Sequence, residues 1–211
     1  MRNLAVLDLG ACPYEEAYSR QRALVTQKLE HPESPDILIW VEHPDVYTFG
    51  RKKTPEAGVA GKSNFFIERG GEATFHNPGQ LVVYPILKLD SKERDLHRYL
   101  RDLESTLCLV LKDFGIEGVG KTDATGVWVE KGGKKIASIG VAVKSWVTYH
   151  GVALNVSNDL RGFEKIAPCG FPSTIMTSMQ EMLGAAPDLE SVRKSFLQHF
   201  CMRFERVIIR G

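Results

Sequence analysis

Three short stretches of this 211-residue chain gather side chains that chemistry could use. The first is Arg69-Gly-Gly-Glu-Ala-Thr-Phe-His76-Asn-Pro-Gly-Gln80. Paired glycines let a backbone approach a ligand closely, and a guanidinium, an imidazole and a carboxamide share one short segment. Taken alone, the same residues also describe a solvated β-turn. The second stretch, Lys134-Lys135-Ile-Ala-Ser138-Ile-Gly140, alternates like a strand, where a lysine ordinarily faces water. The third is Ile166-Ala-Pro168-Cys169-Gly170, a thiol held between proline and glycine. Cys108 and Cys201 fall in amphipathic helical stretches, where a buried inert thiol is the usual role, so Cys169 is the least core-like cysteine. Cys12 competes with it, because it precedes a helix whose N-terminus can lower a thiol pKa.

Other chemistries find less support. Gly115-Ile-Glu-Gly-Val-Gly120-Lys121-Thr122 matches the phosphate-loop string letter for letter, but that chemistry needs a strand before the loop and a helix after it. Here a strong helix precedes, and Asp123-Ala-Thr-Gly-Val-Trp-Val reads as a turn and strand. A C-cap glycine and a glycine-rich turn account for the match. The six histidines form no His-x-x-x-His pair, and the four cysteines form no Cys-x-x-Cys. This disfavours metal catalysis, a zinc knuckle and a disulfide scaffold, and suits a reducing cytoplasm. His76 or His150 could pair with Cys169 as in a cysteine hydrolase, although spacing marks no residue to orient the imidazole.

The elements that must position these residues follow from periodicity. Strands are expected at 3–9, Asp36–His43, Phe65–Glu68, Leu81–Leu87 and about 146–154, and a hairpin over 126–143. Residues 44–64 read as a long loop. Helices are expected at about 13–30, with Pro13 in the first turn, and at about 94–114, where Leu96, Tyr99, Leu100, Leu103 and Leu107 share a face and Gly115 caps the end. Residues 177–183 and 189–204 also read as helical, and Val207–Ile209 as an edge strand. Hairpin strands with helices clustered elsewhere imply a single α+β domain over 1–211, with a mixed, largely antiparallel sheet flanked by helices.

With 43% hydrophobic and 25% charged residues, the chain has the composition of a globular protein with a real core. No apolar run approaches the roughly 20 residues that span a bilayer. The amino terminus alternates like a strand and carries acid early, unlike a signal peptide. The net charge of +1 argues against a nucleic-acid coat or a polybasic membrane protein. It conceals polarity, however. Residues 51–69 hold five basic against two acidic side chains, and residues 130–144 hold four against one, so each segment is net +3.

Jointly, Gly50-Arg51, Arg69–Gln80, Lys135–Gly140, His150-Gly-Val-Ala-Leu-Asn-Val156, Pro168-Cys169-Gly170 and Thr177-Ser178-Met179 resemble the lipoyl(octanoyl) transferase family in order and spacing. The resemblance implies a biotin/lipoate-ligase-like fold and protein-to-protein octanoyl transfer without a cofactor. The donor would be octanoyl-acyl carrier protein. The acceptors would be lipoyl domains of 2-oxoacid dehydrogenases and the glycine cleavage H protein, with no nucleic acid or membrane involved. By motif position it makes Cys169 the thioester-forming nucleophile and Lys135 its partner. It assigns substrate binding to Arg69, Gly70, Gly71, Glu72, Ala73, Thr74, Phe75 and His76, to Ser138, Ile139 and Gly140, and to Gly151, Val152 and Ala153. The family usually carries tyrosine at Phe75 and glycine at Asn77, and a positive φ at Asn77 is the expected accommodation. An ATP-dependent lipoate or biotin ligase shares the fold but gives Cys169 no task. A non-catalytic scaffold for carrier or lipoyl domains would also explain the basic segments.

Overall fold

The computed structural model describes residues 2–52, 59, 63–122, 124–129, 133–166 and 173–209. Its elements, in chain order, are β1 (Arg2–Ala11), α1 (Tyr14–Glu30), β2 (Asp36–Glu42), β3 (Val46–Phe49), β4 (Ser63–Phe66), β5 (Ala73–His76), β6 (Gln80–Ile86) and α2 (Leu96–Asp113). There follow β7 (Gly118–Gly120), β8 (Val127–Val129), β9 (Lys135–Lys144), β10 (Val147–Asn155), α3 (Met179–Leu183), α4 (Leu189–Arg203) and β11 (Arg206–Ile208), with 3-10 turns at Leu160–Lys165 and Ser173–Ile175.

Eight strands form one mixed sheet in the order β11-β1-β2-β6-β10-β9-β8-β7, and β4-β3-β5 form a second, small sheet. In the large sheet β1 pairs parallel with β2 and β11, and the remaining pairs are antiparallel. Period-two alternation divides its residues between two cores. Leu38, Trp40, Leu81 and Val83 face the core that α2 and α4 cover, whereas Ile39, Val41, Val82 and Tyr84 face the one under α1.

Helix α2 shows why its boundaries were readable. The Asp95 side chain accepts the Arg98 N–H at 3.0 Å. At the far end Gly115 turns left-handed at φ 76°, and its N–H and that of Ile116 return to Lys112 and Leu111. The phosphate-loop string resolves as this cap followed by β7. A Cβ on Gly118 would lie 2.7 Å from Leu111 Cδ1, and one on Gly120 2.6 Å from Glu104 Oε2. These glycines let an edge strand press onto α2.

Several expectations need correction. The loop expected over 44–64 contains β3, a fully buried four-residue strand, and the start of β4. The strand expected at Phe65–Glu68 lies two residues earlier. Ala73–His76, within what read as a glycine-rich connection, is β5. Pro13 is the N-cap of α1, one position before its first turn. Asn77 does not adopt a positive φ; Gly79, at φ 86°, makes that turn.

Candidate active site

The small sheet lies against the β9–β10 ribbon, and the two enclose a cavity. From the small sheet and the segment feeding it come Thr48, Arg69, Gly71, Ala73, Thr74 and His76; from the ribbon come Ser138, Ile139, Gly140, His150, Gly151, Val152 and Ala153; Tyr14 and Tyr84 complete the lining. Register explains the clustering. Ser138, Ile139 and Gly140 pair with Ala153, Val152 and Gly151, so the two strands of one hairpin become one surface. Thr48 and Thr74 are likewise cross-strand partners.

Three of the residues assigned to substrate binding lie off this lining. Gly70 is exposed, its N–H donating to Val141 O at 3.0 Å, and the half-buried Glu72 accepts the Gly50 N–H through its carbonyl. Phe75 points into an apolar cluster beside Tyr47, at 4.7 Å between ring centroids, and Phe163, at 5.7 Å. Its ring also packs on Gly162, where a Cβ would come within 2.0 Å. Tyr14, Thr48 and Tyr84 line the cavity without having been marked in the sequence. Tyr14 is camouflaged in a helical stripe, and Thr48 lies in the strand taken for loop.

Arg69 is buried. Its Nη2 donates to Thr48 O at 2.7 Å and Thr48 Oγ1 at 3.0 Å, and its Nη1 donates to Gly70 O at 3.0 Å. The side chain fits because its neighbours lack Cβ atoms: one on Gly50 or Gly140 would come within 2.9 Å of it. The cavity is otherwise held neutral. Burial pushes His76 down to about 3, with His43 and Arg69 adding repulsion; burial likewise lowers His43 and His150 to about 4. His150 carries a left-handed φ of 56°, and its N–H donates to Gln21 Oε1 at 2.8 Å. At the rim, burial pushes Glu68 up, but hydrogen bonds from Tyr18, at 2.6 Å, and Tyr149, at 3.0 Å, leave its carboxyl below the usual range.

Lys135 opens β9 and is 1% exposed, contrary to the habit of strand lysines. Its Nζ donates to Thr125 O at 2.9 Å and lies 5.4 Å from the Trp128 ring centroid. Gly126 packs against it, since a Cβ there would meet Lys135 Cε at 2.8 Å, and the Gly126 N–H donates to buried Glu104 Oε1 at 2.9 Å. A carboxylate and an ammonium therefore flank one glycine. The Lys135 carbonyl accepts the Thr177 N–H at 2.9 Å, tying β9 to the segment that follows residues 167–172. Cys169 itself, with Pro168 and Gly170, lies outside the described residues. At the rival thiol, burial, then Glu16, pushes Cys12 up, away from the thiolate form. Burial also raises Cys108, to about 11, and Cys201. Among the described residues no cluster of three or more His, Cys, Asp or Glu could hold a metal ion.

Residues 13–201 match the lipoyl protein ligase A/B catalytic domain. The chain belongs to that family. Its curated relatives include proteins named octanoyltransferase. That of Syntrophotalea carbinolica is 44% identical over 198 residues, covering 93% of this chain and 92% of the relative. That of Thermosynechococcus vestitus is 41% identical, covering 93% and 88%. The fold agrees with solved structures. A putative lipoate protein ligase from T. acidophilum with bound lipoic acid superposes at TM-score 0.76 with 15% identity, covering 100% of this chain and 89% of its own. A biotin protein ligase from Aquifex aeolicus reaches 0.56 with 12% identity, covering 97% and 70%. The α+β, biotin/lipoate-ligase-like architecture expected from sequence is the one observed.

Proposed function

We propose that the chain carries octanoyl from octanoyl-acyl carrier protein to a lysine of lipoyl domains, through a thioester on Cys169. Octanoyl transfer, as an acyltransferase of lipoate biosynthesis, is the activity of relatives that match this chain at 41–44% identity over most of its length, and this carries the reading. The acceptors in our reading are the lipoyl domains of 2-oxoacid dehydrogenases and the glycine cleavage H protein. In our reading the setting is the cytoplasm.

A free thiol of pKa near 8.5 is only about 3% thiolate at pH 7. An ammonium that lowers it by about two units supplies roughly 2.7 kcal/mol and makes thiolate the major form. Lys135 has this role in our reading, and its burial supports it, because a charge pair out of water is weakly screened. Cys169 thiolate attacks the carrier thioester, an S–C bond forms, and the departing carrier thiolate takes a proton from Lys135. The neutral amine of the acceptor lysine then attacks octanoyl-Cys169, its proton passes to Lys135, and Cys169 leaves as thiolate. Thioester-to-amide transfer runs downhill without a nucleotide. The largely apolar cavity suits the tail: burying about six methylenes at about 0.8 kcal/mol each contributes roughly 5 kcal/mol, so cavity depth measures chain length.

Intact mass after mixing with octanoyl-acyl carrier protein tests the intermediate. The expected result is one octanoyl adduct that Cys169→Ala abolishes. An adduct surviving that change, or none on the wild type, overturns the covalent route. Lys135→Met should slow loading and transfer alike, and unchanged rates would remove Lys135 from the mechanism. ATP-dependent use of free octanoate would favour a ligase instead.

A further inference from the structure

The polar residues behind the cavity form a chain whose hydrogen bonds admit one arrangement. Asn155 Nδ2 donates to the Thr177 carbonyl at 3.0 Å, which turns Asn155 Oδ1 toward Gln80. Gln80 Nε2 donates to that oxygen at 2.9 Å and to the Phe75 carbonyl at 3.3 Å. Both ends are backbone carbonyls, which only accept, so neither amide can flip without setting oxygen against oxygen. Asn158 Nδ2 also donates to Asn155 Oδ1, at 3.3 Å, and to Asn77 Oδ1, at 3.0 Å, pinning the chain from the side. Gln80 Oε1 is therefore the atom that faces His76 Nδ1, at 2.7 Å, and it accepts. All four amide and imidazole side chains from Asn158 to His76 are buried.

We propose that Gln80 and Asn155 are positioning residues that lock His76 as the Nδ1–H tautomer, so that its Nε2 presents a lone pair to a substrate N–H in the cavity. The imidazole lines that cavity with Nδ1 already spent, and among the described residues none donates to Nε2. A second N–H at Nε2 would repel a donor, and burial keeps the ring neutral. The acyl chain has no N–H, so the donor comes from one of two groups that approach the thioester: the attacking lysine amine, or an amide of the carrier's thioester arm. No proton is transferred; the hydrogen bond orients the donor. The kinetic role rests on the proposed octanoyl transfer, whereas the tautomer does not.

Two measurements separate these. Nitrogen-15 NMR of the wild-type imidazoles, with the His76 signals identified by their loss in His76→Asn, should show protonated Nδ1 and bare Nε2 at neutral pH. Protonated Nε2, or a mixture, overturns the proposal whatever the enzyme does. Gln80→Met keeps length and volume while removing the acceptor, and should yield a mixture of tautomers. In single-turnover experiments with that variant, a fall of ten-fold or more in lysine transfer with loading unchanged identifies the amine. A fall in loading identifies the carrier arm. With the melting temperature retained and the tautomer released, unchanged rates in both steps overturn the role. If the wild type never forms an acyl-enzyme, the proposed function fails while the tautomer result still stands.

Discussion

Acidification should unfold this protein through its buried histidines. His43 and His150 titrate at about 4 and His76 at about 3 because burial disfavours the imidazolium. In the unfolded chain each titrates near 6.5. The unfolded state therefore binds more protons below about pH 6.5, and the stability these groups confer is complete above that pH and lost as pH falls toward their folded values. Each histidine costs about 1.4 kcal/mol per unit of acidification in that window, so three together cost about 4 kcal/mol per unit. Against a total stability of about 5–15 kcal/mol, the fold should be marginal near pH 5. Urea melts at about pH 7 and about pH 5.5 should differ by about 4 kcal/mol. His43→Gln, which removes the ring bonded to Cys12 O at 2.7 Å and Tyr84 Oη at 2.8 Å, should lower overall stability yet reduce the pH-dependent loss by about a third. Equal stability at the two pH values, or an unchanged loss in His43→Gln, would refute the reasoning.

Three substitutions probe the supports of the site. Glu104→Leu leaves the Gly126 N–H buried without its acceptor, so thermal melts should show a loss of about 1–3 kcal/mol, and acyl loading should slow as the wall behind Lys135 loosens. Gly126→Ala forces a Cβ within 2.5 Å of the Ala137 carbonyl and 2.8 Å of Lys135 Cε at a φ of 126°; loading should fall at least ten-fold, as measured by single-turnover mass spectrometry. Gly162→Ala drives a Cβ into the Phe75 ring and should cost about 1–3 kcal/mol in a denaturant melt, as overpacking does, and more if the Tyr47 hydrogen bond to the Gly162 carbonyl is also broken.

Long periodic elements were legible in the sequence, and short ones were not. Helix α2 announces itself through an apolar stripe and a C-cap glycine, both of them local signals. Strands β3 and β5 have four residues each and are buried throughout, so period-two alternation is absent. Their pairing depends on contacts between residues 46–49 and 73–76, which no local window contains. The same limit governs the site. Lys135 could be placed on a strand, but not inside the protein, because its burial depends on Thr125, Trp128 and the glycine before Val127. The amide chain from Asn158 to His76 joins β5, β6 and the end of β10, and its order emerges only when those strands are side by side. The effect of Phe75 was legible as a missing phenol but not as a packed ring, since Phe163 and Gly162 are distant in sequence.

The two basic segments divide into cations with different physics. Arg69 and Lys135 point inward, where bulk salt screens them little, whereas Arg51, Lys52, Lys134 and Lys144 are exposed. Added salt therefore acts on the outer set, whose pull on an acidic partner, such as the carrier or lipoyl domain of the proposed reaction, extends only about 10 Å at ~0.1 M ionic strength. Arg69 lines a cavity whose histidines, His76 and His150, stay neutral above about pH 5, whereas Lys135 lies outside that lining, buried against the Thr125 carbonyl and Trp128. Encounter and chemistry are thus separable. In the proposed transfer, salt should weaken second-order loading while leaving the rate within a preformed complex nearly constant, because the charges that would attract a partner are not the ones assigned to the reaction.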